Sequence, residues 1–119
     1  MRDRQKAERR GRRAETLAAL FLTLKGYRVT ARNLVTPYSE VDILAVRGRT
    51  CAVVEVKARS SWAACEDSLT PATRRRLDAA AAHIHDRFPY AAKRDMRMDA
   101  VFVVGFKLRH ITNAWRSGD

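Results

Sequence analysis

The stretch from Glu40 to Lys57 reads EVDILAVRGRTCAVVEVK and decides the fold of this 119-residue chain. Two runs rich in β-branched and other apolar residues stand on either side of a short polar segment that contains Gly48. Glycine tolerates the positive φ that tight hairpin turns require. The pattern therefore predicts an antiparallel hairpin that turns on Gly48, with either Gly48-Arg49 as a two-residue loop or residues 47–50 as a four-residue loop of the same register.

The turn also sets the register of the hairpin. It places Asp42 opposite Glu55 and Glu40 opposite Lys57, as cross-strand neighbours. Because side chains alternate along a strand, these four residues share one face with apolar neighbours. The apolar residues expected on that face are Leu44, Val46, Cys51 and Val53, and those expected on the opposite face are Val41, Ile43, Ala45, Ala52, Val54 and Val56. Both faces of the hairpin are therefore expected to be covered by other elements.

The facing carboxylates of Asp42 and Glu55 are the first sign of a functional site. Two carboxylates at the end of a buried sheet repel each other unless a cation lies between them. Mg²⁺ is bound in proteins by one or two carboxylates together with water. The alternative is an ordinary charged strand surface, with a Glu40–Lys57 ion pair and an exposed Asp42.

Asp42, a turn, and then Glu55-x-Lys57 resemble the active-site motif of the PD-(D/E)XK, or restriction-endonuclease-like, nucleases. More narrowly, five segments spread over nearly the whole chain resemble the YraN family of small bacterial proteins. The segments are Gly26-Tyr27-Arg28, Arg32-Asn33, Glu40-Val41-Asp42, Val54-Glu55-Val56-Lys57 and His110-Ile111-Thr112-Asn113-Ala114. Two positions depart from the family pattern, because Ser39 replaces a glycine and Thr73 replaces a lysine.

The resemblance implies hydrolysis of phosphodiester bonds with Mg²⁺ or Mn²⁺ as cofactor. Asp42, Glu55 and the carbonyl of Val56 are the implied metal ligands. Lys57 would orient the attacking water or stabilise the charge that builds on the phosphate. The alternative from another class is a non-catalytic nucleic-acid-binding module that keeps the nuclease fold.

The first helix is expected to carry an accessory carboxylate, Glu15. The helix is predicted to end at Lys25 with Gly26 as its cap. Its apolar stripe is expected to comprise Ala14, Leu17, Ala18, Phe21 and Leu24. Glu15 lies at the edge of this stripe, and it resembles the first-helix glutamate that assists the metal or the substrate in several nuclease-like families. Glu40 is a further accessory candidate, and an ordinary solvated glutamate is the alternative for Glu15.

The charge balance points to a polyanionic partner. The chain has a formal net charge of +11 and a pI near 10.8, and a basic surface attracts phosphate backbones through counterion release. Nucleic acid, with DNA favoured, is the expected partner, while acidic proteins and anionic membranes are alternatives. The expected phosphate-binding side chains are Arg9, Arg10, Arg12 and Arg13, and Arg74, Arg75 and Arg76. Each cluster could instead be a solvated charge run, and the basic segment 1–13 is either a flexible tail or the start of the first helix.

Length and composition predict one domain over residues 1–119, without a membrane span. The apolar run 17–24 is shorter than the roughly 20 residues that a spanning helix needs. Cys51 and Cys65 lack metal-ligand spacing, so reduced thiols in the cytoplasm are expected. A homodimer is left open.

The remaining elements complete the predicted fold. Tyr27, Val29 and Ala31 are expected on one face of a first strand, and residues 58–69 are expected to form a loop. Trp62 in this loop is either a packing anchor or a platform for base stacking. A second helix starts at Thr70-Pro71, and a strand Met98–Val104 follows, with an Arg97–Asp99 ion pair. Leu108–Trp115 is expected to form a last strand or a strand and a turn. The order α-β-β-β-α-β-β predicts a three-layer α/β/α domain with a mixed sheet, which matches the αβββαβ core of the restriction-endonuclease-like fold.

Overall fold

The computed structural model describes the backbone of residues 2–116 and the side chains of residues 8–116. Within these residues it contains α1 (Arg2–Leu24), β1 (Arg28–Val35), β2 (Glu40–Arg47), β3 (Thr50–Ala58), α2 (Trp62–Ser68), α3 (Pro71–Arg87), α4 (Pro89–Ala92), β4 (Asp95–Val104) and β5 (Lys107–Ile111). The strands form one sheet in the order β1-β2-β3-β4-β5. The β3–β4 pair is parallel and the other neighbours are antiparallel, so the sheet is mixed.

Helices cover both faces of the sheet. The buried side chains of α1 pack with Ile43, Val54 and Val101 on one face. Residues of α2 and α3 pack on the opposite face with Leu44 and Val53. The predicted three-layer α/β/α architecture with a mixed sheet is confirmed, and its element order agrees with a restriction-endonuclease-like fold.

The predicted hairpin is present with the expected register. Arg47 pairs with Thr50 across the loop, and Gly48 has a φ of 57°. The β2–β3 ladder then runs as far as Ile43 opposite Val54. Beyond that pair the backbone N–H of Val56 donates to the side chain of Asp42 at 2.8 Å instead of to the backbone of β2. The two strands therefore separate at Asp42.

This separation changes the face assignment at the start of β2. Val41 packs in the same core cluster as Leu44, whereas Ile43 packs in the cluster beneath α1. The expectation that Val41 and Ile43 share a face is therefore wrong. Strict alternation requires a regular ladder, and here a side chain has replaced one of its backbone acceptors.

The first strand shows a similar irregularity. A register shift between Val29 and Ala31 sends Ala31 to the α2–α3 face, so the predicted common face of Tyr27, Val29 and Ala31 is interrupted. A bulge of this kind adds a residue to one strand and reverses the alternation beyond it. β1 also runs on through Asn33, which has a φ of 51°, to Val35.

Helix α1 begins at Arg2, which agrees with the helical alternative for segment 1–13, while Met1 lies outside the described residues. The helix differs from its prediction in its buried stripe. Its buried stripe consists of Ala14, Ala18 and Leu22, whereas Leu24 is 78% exposed. The small alanines let the helix approach the sheet closely, and this stripe brings the neighbouring Glu15 toward the sheet.

Residues 62–68 form a helix, α2, which corrects the predicted loop. Ser61 caps it by accepting a hydrogen bond from the backbone N–H of Ala64 at 3.1 Å, and Cys65 is buried. Only two turns long, the helix shows too little periodicity to be recognised in the sequence. Helix α3 begins as predicted, with Thr70 as the cap and Pro71 in the first turn.

A buried acidic residue joins β4 to β5. Asp99 is fully buried and accepts hydrogen bonds from Arg97 at 2.7 and 2.8 Å, which confirms the predicted ion pair. It is also within 2.8 Å of Nε2 of His110, and it accepts a bond from the backbone N–H of Asn113. These contacts fasten β5 and the segment that follows it to β4.

Candidate metal and phosphate site

Asp42 and Glu55 lie side by side at the point where β2 and β3 separate. Their side chains are hydrogen-bonded to each other, and Glu55 is only 8% exposed. The expected contact between the two carboxyl groups is confirmed. The remaining Asp42 oxygen, Oδ2, accepts the N–H of Val56, so the backbone of β3 fixes the orientation of the Asp42 carboxyl.

The environment of Asp42 disfavours its charged form. Burial is the main cause, followed by the hydrogen bond to Glu55 and the negative charge of Glu55. The Val56 N–H and the charge of Lys57 oppose this effect and are outweighed. Together these raise the pKa of Asp42 from 3.8 to about 8. The pair therefore holds a proton at neutral pH.

Lys57 adds one positive charge to the pair. Its Nζ is 3.4 Å from Oε2 of Glu55, two residues back along β3. The predicted cross-strand partner of Lys57 was Glu40, but the β2–β3 ladder ends before that position and Glu40 pairs with Val35 of β1. The predicted Glu40–Lys57 neighbour relation is therefore wrong, because the strands diverge at Asp42.

Glu15 and Glu40 approach the site from the side of α1 and β1. With its amide nitrogen turned toward them, Asn33 donates to Glu15 at 2.8 Å and to Glu40 at 3.3 Å. Burial and then the negative charge of Asp42 raise the pKa of Glu15, although Asn33 and Arg32 favour its charged form. Four carboxyl groups thus cluster around the separation of β2 and β3. Asn33 donates to the two outer carboxyl groups, those of Glu15 and Glu40, and its position in the sequence did not predict this role.

A cavity of about 350 Å³ opens over the inner carboxyl pair. Asp42, Glu55 and Lys57 form its floor, and two arginines, Arg10 of α1 and Arg59 after β3, form part of its wall. Arg10 comes from the expected basic cluster. Arg59 was not anticipated, although its position two residues after Lys57 could have suggested it, because residues two apart in an extended chain point the same way.

The two predicted arginine clusters lie in different layers of the fold. Arg9, Arg10, Arg12 and Arg13 are exposed on α1. Arg74, Arg75 and Arg76 lie in the first turns of α3, on the other side of the sheet. Arg74 is half-buried and donates to the carbonyl of Leu69 at 3.0 Å, while Asp78 accepts a bond from the indole of Trp115. Of the two clusters, only Arg10 lines the cavity over the carboxyl pair, whereas Arg74 lines a different pocket beside Trp62.

The donor set at the site fits a hard divalent cation. Among the residues that the structure describes, no three acidic, histidine or cysteine side chains converge in the way a closed metal centre requires. Mg²⁺ does not need such a centre, since it keeps several waters and is commonly held by one or two carboxylates. A buried carboxyl pair in which the charged form of Asp42 is disfavoured offers a place that a cation could occupy.

The chain is similar to bacterial proteins of one uncharacterised family. A model of the uncharacterised protein family UPF0102 matches residues 14–103. A UPF0102 protein of Parvibaculum lavamentivorans is 52% identical over 92% of this chain and 84% of its own length. A second, from Paramagnetospirillum magneticum, is 45% identical over 94% of this chain and 91% of its own length. The matched residues include all of the carboxylates described above, from Glu15 to Glu55.

Within the described part of the chain, no helix combines the length and the hydrophobicity that crossing a membrane requires.

Proposed function

The chain belongs to the uncharacterised protein family UPF0102, and we propose that this member is a metal-dependent nuclease that hydrolyses phosphodiester bonds in DNA. The observation that carries the proposal is the Asp42–Glu55 carboxyl pair, which lies at a break in the sheet under a cavity with arginines in its wall. A purely structural role does not explain why two carboxyl groups are brought together at an energetic cost. A phosphate-bound cation does explain it, because the cation would remove their repulsion.

Each group in the cavity has a distinct task in this proposal. Asp42 and Glu55, with the carbonyl of Val56, would hold Mg²⁺ or Mn²⁺. When bound, such an ion polarises the scissile phosphate and lowers the pKa of a water molecule. Lys57 carries no lone pair when charged, so it acts on water or phosphate rather than as a ligand.

The surrounding residues would position the substrate. Arg10 and Arg59 line the cavity and can pair with phosphate oxygens next to the carboxylates. Glu15, which lines the cavity, and Glu40 would take accessory roles, and Asn33 contacts both of them. Because both cysteines are free and buried, a reducing cytoplasm is the proposed location.

The test is a cleavage screen with Mg²⁺ or Mn²⁺ over duplex, flapped, single-stranded and branched DNA, run beside calorimetry of metal binding. Asp42→Ala and Glu55→Ala should abolish cleavage while DNA binding stays equal or becomes tighter, because each removes a negative charge from the phosphate site. Lys57→Ala should lose rate and keep metal binding, and Glu15→Ala should lose less. Asp67→Ala removes an exposed carboxylate on α2 and serves as the matched control.

If the wild-type protein cleaves no DNA and binds no metal ion, the proposed nuclease function is refuted. In that case the basic surface would still predict DNA binding, and the function would be that of a non-catalytic binding module on the same fold.

A further inference from the structure

A second pocket lies on the α2–α3 face of the sheet, about 270 Å³ in volume. Its lining combines aromatic and cationic side chains: Trp62, Phe102, Arg74 and Arg109, with Glu66 at its edge. This volume falls just below the usual range of roughly 300–1,000 Å³ for ligand pockets. A single small planar group therefore fits the pocket better than a large ligand.

The chemistry of the lining is that of a stacking site. The guanidinium of Arg109 lies over the ring of Trp62, 4.1 Å from its centroid. Trp62 is half-buried and packs against the core, whereas Arg109 is exposed. Unpaired bases stack on aromatic rings and on arginine guanidinium planes. The Trp62–Arg109 pair thus offers a prebuilt stack to which a base can add.

The pocket lies close to the proposed catalytic site. Lys57 of β3 pairs with Phe102 of β4, and Phe102 pairs with Arg109 of β5. Directly paired residues point to the same face, and neighbouring strands are about 4.8 Å apart, so the Cα atoms of Lys57 and Arg109 are about 10 Å apart. Along the sheet the pocket is thus two strands from Lys57, while α1 lines the cavity on the other face, so a DNA strand would pass the end of the sheet to occupy both.

From these observations we propose that the Trp62–Arg109 pocket binds an unpaired nucleobase, and that the DNA substrate carries a single-stranded segment beside the bond that is cleaved. The statement about the substrate rests on the proposed nuclease function, whereas the statement about the pocket does not. In a regular duplex the faces of the bases are hidden in the stack, so a base can enter the pocket only where the strand is unpaired. Arg74 and Arg109, the two arginines that line the pocket, would hold the phosphates on either side of that base.

The test compares two fluorescent probes by anisotropy, without metal ion. One is a short oligothymidylate of about ten nucleotides, and the other is an abasic strand with the same number of phosphates. Stacking contributes about 1–3 kcal/mol per base, so the wild-type protein should prefer the oligothymidylate by roughly five-fold or more. The ratio of the two affinities measures the contribution of the bases to binding, because phosphate contacts contribute equally to both affinities.

Three variants assign the preference to the pocket. Trp62→Leu should lose it, and Trp62→Phe, which keeps an aromatic face, should retain most of it. Arg109→Gln should reduce the preference as well as the overall affinity. Arg28→Gln removes an exposed arginine at the start of β1 and should leave the ratio unchanged.

Equal affinity of the wild-type protein for both probes would overturn the proposal, and so would a preference that survives Arg109→Gln and Trp62→Leu. If Trp62→Leu fails to fold, the ratio measured for Arg109→Gln decides the test alone, because Arg109 is exposed. If the protein prefers the probe with bases but cleaves no DNA, the proposed nuclease function is refuted and the proposed base-binding pocket is supported. The two proposals can therefore fail separately.

Discussion

Replacing Asp42 by asparagine should stabilise the metal-free protein, and the gain should grow with pH. The folded state raises the pKa of Asp42 from 3.8 to about 8. The folded protein therefore keeps a proton that the unfolded chain releases, and stability is lost as pH rises from about 4 to about 8. Asparagine carries no charge, can accept the Val56 N–H and can donate to Glu55, so it avoids this loss.

The size of the effect follows from the shift. Each pKa unit corresponds to about 1.4 kcal/mol, so the part of the shift that lies between pKa 3.8 and pH 7 gives an upper figure of about 4 kcal/mol. Asp42 is half-buried, and solvent screening lowers this figure, so we expect a gain of about 2 kcal/mol. For a chain of this size that is a rise in Tm of roughly 8 °C.

Thermal unfolding of the wild type and Asp42→Asn at several pH values between 5 and 8 measures the difference directly, and EDTA keeps the samples free of metal. The exposed Asp67→Asn is the control and should show no trend with pH. Adding Mg²⁺ should stabilise the wild type alone, by an amount set by the ratio of metal concentration to Kd. A gain from Asp42→Asn that is the same at pH 5 and pH 8 would refute the reasoning about the carboxyl pair.

Three further outcomes are expected. Asp99→Ala should lower the free energy of unfolding by about 3–5 kcal/mol, measured in urea, because it leaves the charge of Arg97 without its partner. Gly48→Ala should cost about 1–2 kcal/mol, since the position has a φ of 57° and an added Cβ meets nothing within 4 Å, which leaves only the backbone cost. DNA affinity should fall with salt, and Arg59→Gln should reduce the log-log slope by about 0.9 if that side chain pairs with a phosphate; an unchanged slope would place Arg59 outside the interface.

The hairpin could be predicted from sequence because its information is local. A glycine turn and two apolar runs set the pairing of neighbouring strands, and this pairing brings Asp42 and Glu55 together. The Arg97–Asp99 ion pair was equally accessible, since two residues on one strand share a face. In both cases the partners are close in sequence or joined by a recognisable turn.

Features that depend on tertiary contacts could not be predicted from the pattern of apolar and polar residues in the sequence. Val41 changes face because the side chain of Asp42 takes over the Val56 N–H, and no periodicity rule anticipates such a substitution. Helix α2 is short and depends on the burial of Cys65 under the sheet. The buried stripe on α1 ends with Leu22 rather than Leu24, because alanines as well as large residues decide which side approaches the sheet.

The break at Asp42 also explains how a carboxylate site can exist in a sheet that is covered on both faces. In a regular ladder the side chain of Asp42 would have to lie under one of the two helical layers, where an unpaired charge is costly. By accepting the Val56 N–H, Asp42 takes the place of a backbone acceptor where the β2–β3 ladder ends, beside the cavity between α1 and β3. The same carboxyl thus satisfies the donor that the missing backbone bond leaves free and faces Glu55. The irregularity in the fold and the proposed chemistry of the site therefore both depend on the Asp42 carboxyl. Asp42→Asn tests the two roles separately, because asparagine can still accept the Val56 N–H but has no carboxylate to bind a metal ion.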